Sequence, residues 1–417
     1  ICACLVGSEM CIRDSYSTKN SVKNVLDKTP IIGKGIGKAV KGTKQLLKYA
    51  IYHSNLFEDL GFKYLGPIDG HNLDELTEAL MVAKMMQRPC LVHIYTKKGK
   101  GYAPAEDNSG EYHGLPPKKD DDNNCKGECF TDAFGKALLS FADKDNSIYA
   151  VTAAMKYGTG LQHFYKAFPE RFFDVGIAEQ HAVTFSAGLA SQGKLPVFAV
   201  YSSFLQRSYD QLIHDCAIEK RHIVLGIDRA GFVGEDGETH HGLFDVAMLT
   251  TVPGVTVYSP SDTAELSQCL EQALYKDKGI VAVRYPRGCE LYRSGTKAYS
   301  DFRHVSNKSR KLIFTYGRIS AYAYTIHGVD VLQAIKIFPI ADEMIDICLA
   351  YDEIYAFEEG EREGGIAQKL CTALALAGFK GRFTITAVDG FVRHADVAAQ
   401  LHNAMLDADG MRKITGE

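Results

Sequence analysis

The sequence lacks any apolar run approaching the roughly 20 residues needed to cross a bilayer, so no membrane-spanning helix is expected. It lacks an excess of either charge: 47 Lys and Arg face 51 Asp and Glu, a net of −4. That balance excludes a general nucleic-acid or membrane surface, and any anionic ligand must be met by a few placed cations. A compact, even set of cysteines is missing too. The eleven present are scattered along the chain, which argues against a disulfide framework and for a reducing compartment. There is no short-period repeat and no low-complexity tract. What remains is an ordinary globular composition, 46% apolar and 24% charged over 417 residues, which excludes disorder, collagen and coiled coil and gives room for two to three domains.

The first fifteen residues, ICACLVGSEMCIRDS, have neither an initiating Met nor the charged-then-apolar build of a secretory signal. They resemble translated adapter sequence and are expected to be a non-native leader. Residues 16–50 are basic and Gly-rich, and IIGKGIGKAVKGTK invites a phosphate-loop reading that fails on spacing. At the Walker distance Gly37 is followed by Gly42-Thr43-Lys44, and no third glycine completes a dinucleotide pattern after Gly33 and Gly35. From Asn55 to Tyr102 the pattern predicts a helix around Leu56–Leu60, a turn at GPIDG, a helix from about Leu73 to Met86 and a strand at CLVHIYT, the tail of an α/β unit. The proline pair and charge run of LPPKKDDDNN then predict an interdomain linker near 118–127. Between about 128 and 295 the short apolar runs SIYAVTA, RFFDVG, LPVFAVYS, HIVLGID, VTVYSP and IVAVRYP alternate with helical stretches. This predicts a doubly wound, mostly parallel sheet with ligands at the carboxyl ends of its strands. KLIFTYG, VDVLQAI, EIYAFEE and GRFTITAV follow a polar stretch near 290–310 and predict a smaller α/β domain over 305–417.

The residues that could carry chemistry fall just past those strand ends. In FFDVGIAEQHAVTFSAGLA, Glu179 opens a small-residue helix. A carboxylate there is either partly desolvated, with a raised proton affinity that lets it share a proton with a ligand nitrogen, or an ordinary first-turn Glu favoured by the helix dipole. YSSFLQRSYDQLIHD brings Tyr201, Phe204 and Arg207 together, an aromatic face and a cation suited to a planar heterocycle plus an anion. Core packing for Phe204 and plain surface for Arg207 are the bland alternatives. The glycines of DRAGFVGEDGETHHG permit a loop lying close against a ligand, around Arg229, Asp236, His240 and His241. Its acidic residues argue against a backbone phosphate cradle, so Arg229 would meet an anion with help from Arg287 of RYPRG. No Cys or carboxylate stands at metal-ligand spacing from the two histidines, and a proton carrier suits them better than a metal. Cys125 and Cys129 lack a second pair, and Cys2 and Cys4 lie in the suspect leader.

Together LGFKYLGPIDGHN, TKKGKGYAPAE, FFDVGIAEQHAVTFSAGLA, YSSFLQRSYDQLIHD, DRAGFVGEDGETHHG and AVRYPRG resemble, in order, blocks of the 1-deoxy-D-xylulose-5-phosphate synthases, thiamine-diphosphate enzymes related to transketolase. The resemblance runs from about residue 20 to the end. It implies an α/β fold with a remnant of the diphosphate-binding domain at 16–117, a pyrimidine-binding domain at 128–295 and a transketolase C-terminal-like domain at 305–417. It also implies thiamine diphosphate and Mg2+ as cofactors, and the condensation of pyruvate with glyceraldehyde 3-phosphate, with loss of carbon dioxide, to 1-deoxy-D-xylulose 5-phosphate. That product feeds isoprenoid, thiamine and pyridoxal synthesis. By the same resemblance Glu179 bonds the aminopyrimidine, Phe204 stacks on it and Tyr102 contacts the cofactor. Tyr201, Arg229, Asp236 and Arg287 bind the acceptor, the two arginines on its phosphate, with Arg207 a further member. His240 lies near the acceptor and His113 near the donor. A homodimer in the bacterial cytoplasm is implied, with a plastid left open.

The sequence departs from the family in having no G-D-G motif, which with a later Asn holds magnesium and diphosphate. The expectation is a chain cut near its N-terminus, inactive by itself. Transketolase, a 2-oxo-acid dehydrogenase beta subunit and a noncatalytic short form are the competing readings. The retained GPIDGH and TKKGKGY blocks oppose the beta subunit.

Overall fold

A computed structural model describes residues 56–113, 127–293, 295 and 298–417. The expected leader, the Gly-rich segment at 16–50 and the linker LPPKKDDDNN with Cys125 lie outside the described residues. The chain divides into two compact units, residues 1–116 and 117–417.

In the small unit a single helical turn at Leu56–Asp59 precedes β1 (Lys63–Asp69), α1 (Leu73–Met85) and β2 (Cys90–Tyr95), with the two strands parallel. Asn72 caps α1 by accepting the Glu75 N–H. The turn expected at GPIDG is a correction: Gly66–Asp69 continues β1. The register passes from Leu65↔Val92 to Ile68↔Ile94, so Gly66 and Pro67 together oppose His93 in a bulge. A proline, having no N–H to give the ladder, is tolerated there.

The large unit holds two sheets. The first takes β3 (Ile148–Thr152), β4 (Phe172–Asp174), β5 (Leu195–Tyr201), β6 (Ile223–Asp228), β7 (Thr256–Tyr258) and β8 (Ile280–Arg284) from the expected apolar runs, all parallel. The second takes β9 (Phe302–Val305), β10 (Lys311–Tyr316), β11 (Asp330–Ala334), β13 (Glu353–Glu361) and β14 (Arg382–Val388) in the order β14-β13-β10-β11-β9. β9 pairs antiparallel inside the stretch expected to be merely polar. Its FRHV sequence is half exposed and carries no apolar run. The chain then lends β12 (Lys336–Phe338) back to the first sheet, antiparallel to β7, giving the order β12-β7-β8-β6-β5-β3-β4.

Helices α2 (Phe130–Lys144), α3 (Glu179–Ser191), α4 (Thr263–Tyr275) and α5 (Ile366–Leu376) cover the sheets. One apolar cluster runs from Val151, Phe198 and Leu225 of the first sheet to Leu312, Phe314 and Ala356 of the second. This shared core joins the two sheets in one unit. Among the described residues no helix is long and apolar enough to cross a membrane.

Candidate active site

The chain steps outward from β3 to β4 and returns across β3 to β5, the kind of reversal beside which open α/β sheets bind ligands at the carboxyl ends of their strands. The Asp174 carboxylate, ending β4, accepts the backbone N–H groups of Ala154 at 2.8 Å and Gly176 at 3.0 Å, tying together the loops after β3 and β4. Five residues past Asp174, α3 begins at Glu179.

Glu179 is only 2% exposed. Its Oε2 lies 3.1 Å from Arg207 Nη1, and the Arg207 guanidinium stands 5.8 Å from the Phe204 ring centre. Phe204 sits in the short helix Ser202–Leu205 that follows β5 and stacks on Tyr201, with centroids 5.7 Å apart and planes at 19°. The Arg229 guanidinium lies 3.7 Å over the Tyr201 ring, a cation–π contact. Burial pushes the Tyr201 phenol pKa up, which keeps its proton in place. His240 meets Phe204 edge-on at 5.2 Å.

Arg229 adopts a left-handed backbone, φ +62°, and is held there by its side chain. Nε donates to Asp236 at 3.1 Å, and Nη1 to the Gly158 carbonyl at 2.8 Å and to Asp228 at 3.2 Å. Arg287 Nη1 reaches the other Asp236 oxygen, at 3.1 Å. Glu179, Arg207, Phe204, Tyr201, Arg229, Asp236, Arg287 and His240 therefore form one connected chain of contacts. Of the two adjacent histidines, His241 is structural. It is buried, its Nδ1 accepts the Val233 N–H at 3.2 Å, and burial lowers its pKa.

Tyr102 and His113 belong to the small unit. Tyr102 is exposed before the helix Ala103–Asp107, edge-on to Tyr112 at 5.7 Å. His113, also exposed, has its Nδ1 against the Lys98 ammonium.

Three features escaped the sequence reading. Gly158 of KYGTG leaves room for Tyr201, because a Cβ there would lie 1.7 Å from the Tyr201 hydroxyl and force one of them to shift. Asp228, fully buried beside Arg229, accepts from Thr131 Oγ1 at 2.7 Å, and burial pushes its carboxyl pKa up to about 6. It opens the DRAGF run, where a charge closing an apolar strand was the available signal. Arg284 of AVRYPRG is buried in a two-toothed pair with Asp245, at 2.8 and 3.2 Å, and gave the same signal. Among the described residues no group of three or more His, Cys, Asp or Glu side chains could hold a metal ion.

The fold is that of the transketolase-type α/β thiamine-diphosphate enzymes. A split-gene transketolase in an inactive tetramer matches with a TM-score of 0.60 at 23% identity, covering 68% of this chain and 96% of that one. The transketolase of Campylobacter jejuni matches at 0.59 and 14% identity, covering 89% and 70%. At the level of sequence, the transketolase pyrimidine-binding domain model matches residues 129–290, and the 1-deoxy-D-xylulose-5-phosphate synthase model matches residues 7–96. The synthase of Natranaerobius thermophilus is 39% identical over 96% of this chain and 68% of its own length. That of Clostridium kluyveri is 47% identical over 73% of this chain and 50% of its own. The chain belongs to the 1-deoxy-D-xylulose-5-phosphate synthase family. It spans about half to two thirds of the length of the curated relatives it matches.

Proposed function

We propose that this chain serves the condensation of pyruvate with glyceraldehyde 3-phosphate, with loss of carbon dioxide, to 1-deoxy-D-xylulose 5-phosphate, as a thiamine-diphosphate-dependent transferase. The observation that carries the reading is the unbroken run from buried Glu179 through the Phe204–Tyr201 stack to the Arg229–Asp236–Arg287 group. One end of that run suits a heteroaromatic ring and the other a phosphorylated acceptor, and a two-substrate synthase needs both side by side.

The residues fit the pyrimidine half of thiamine diphosphate. A nearly dry carboxylate just past a strand end, beside a flat aromatic pair, matches a ring with a basic nitrogen. When bound, the cofactor supplies an electron sink for the bond-breaking and bond-forming steps. Glu179 would hold and return a proton at a pyrimidine nitrogen, and Arg207 would fix its carboxylate in orientation. Phe204 offers a face for the ring. Tyr201, Asp236 and the two arginines would position the acceptor, the guanidinium forks matching phosphate oxygens two at a time. His240 would move a proton near the acceptor. Tyr102 is assigned to the cofactor and His113 to the donor, both by family resemblance. Mg2+ is the expected companion of the diphosphate, and no described residue is assigned to it. We assign the pyrimidine-binding domain to 128–295 and the C-terminal domain to 305–417, in a homodimer of the cytoplasm.

In the enzyme loaded with thiamine diphosphate, Glu179→Ala should lower kcat by about 100-fold or more, the usual range for losing a general acid or base. Turnover near that of the unmodified enzyme would refute the assignment. Product analysis with pyruvate and glyceraldehyde 3-phosphate separates the reactions. Ketol transfer from xylulose 5-phosphate, or acetyl transfer to lipoyl groups, would place the chain elsewhere.

A further inference from the structure

We propose that Arg318 and Glu359, both on the second sheet's side of the molecule, are a positioning pair that sets the acceptor's anion site without touching the substrate. The inference rests on the acceptor-site reading above. Arg318 lies in the turn Gly317–Ile319 after β10, and Glu359 lies in β13. Both are nearly inaccessible, at 6% exposure each. Arg318 Nε donates to Glu359 Oε2 at 2.9 Å, and its Nη2 pairs with Oε1.

The pair grips the backbone of the loop that follows β6 from both sides. Glu359 Oε1 accepts the Phe232 N–H at 2.7 Å, and Arg318 Nη2 donates to the Phe232 carbonyl at 2.8 Å. Arg318 Nη1 also reaches the carbonyl of Arg287, at 3.4 Å. Phe232 lies three residues after Arg229 and four before Asp236, and Arg287 is the second cation of the anion site. A single buried ion pair thus fixes the main chain carrying both arginines. Gly231 makes the approach possible: its φ is +79°, and a Cβ there would lie 2.4 Å from Glu359 Oε1. Arg287 closes the circuit by donating from Nη1 to the Val233 carbonyl at 3.1 Å. A buried ion pair is weak evidence for stability as such, whereas a planar fork binding two carbonyls and a carboxylate together fixes geometry.

The test is steady-state kinetics of the holoenzyme with glyceraldehyde 3-phosphate and, separately, with unphosphorylated glyceraldehyde. Arg318→Lys keeps the charge and loses the fork, and Glu359→Gln keeps an acceptor for Phe232 and loses the charge. Each should raise KM for the phosphorylated acceptor roughly 10- to 100-fold, the scale of a small misplacement at a distance. The kcat at saturation, the KM for pyruvate and kcat/KM for glyceraldehyde should stay within about 2-fold. Equal losses with both acceptors, or no change with either, would overturn the proposal. Should a single variant fail to fold, Arg318→Met combined with Glu359→Met leaves no lone buried charge. Once its melting curve shows it folded, the same KM rise supports the pair and an unchanged KM refutes it. If the unmodified enzyme does not prefer the phosphorylated acceptor, the acceptor-site reading itself has failed, an outcome distinct from a silent variant.

Discussion

Arg229 concentrates the physics of the site in one residue. A non-glycine backbone at φ +62° is unfavourable, and three side-chain hydrogen bonds together with the Tyr201 ring hold it there. Asp228 is the costly partner. Its carboxyl pKa rises from the usual 3.8 to about 6 on burial, so the folded chain favours the protonated form. The stabilisation that this gives is complete below the unfolded pKa and is lost as pH rises through about 6. Asp228→Asn should therefore gain stability against the unmodified chain between pH 4 and 6 and hold that gain above, by up to roughly 3 kcal/mol. Urea melts at several pH values would show it, and a gain confined to acid pH would contradict the sign. Gly158→Ala should cost 1–3 kcal/mol, about the range for overpacking, read as a lowered melting temperature. Arg287→Ala should raise KM for glyceraldehyde 3-phosphate while leaving the pyruvate KM near its ordinary value, since its side chain is the more exposed of the two, at 33% against 13%.

At the scale of the element, the strands were legible because buried parallel strands are written as short apolar runs. SIYAVTA, LPVFAVYS, HIVLGID and IVAVRYP each became a strand at the expected place. GPIDG misled because glycine and proline beside Asp is the composition of a turn, while the chain used the pair to fill a bulge. β9 and β12 were hidden for another reason: a three- or four-residue edge strand is defined by the neighbour it pairs with. Asp262 caps α4 from just outside it, its carboxylate accepting the Glu265 N–H at 2.8 Å. Asp262→Ala should cost about 1 kcal/mol, the ordinary worth of an N-cap, measurable by thermal melting.

For the molecule as a whole, the shared core predicts that the two sheets of the large unit melt together. Phe314→Ala, at 1% exposure inside that core, should cost about 3–5 kcal/mol and move a single calorimetric transition for residues 117–417. Two separate transitions, with only the second sheet's affected, would refute a common core. The sequence by itself determined the family and the parallel α/β class, and it offered, among its candidates, the eight residues that the structure joins by contacts. Those follow from apolar periodicity and from long motifs in fixed order, which are properties of neighbours along the chain. Only the tertiary structure decided that Asp236 stands between two arginines, that Asp228 lies buried beneath one of them, and that Arg318 and Glu359 hold the loop from the other sheet. Each is a contact across seven to more than a hundred residues or a matter of burial, and burial is set by what packs above a side chain, which no local pattern records.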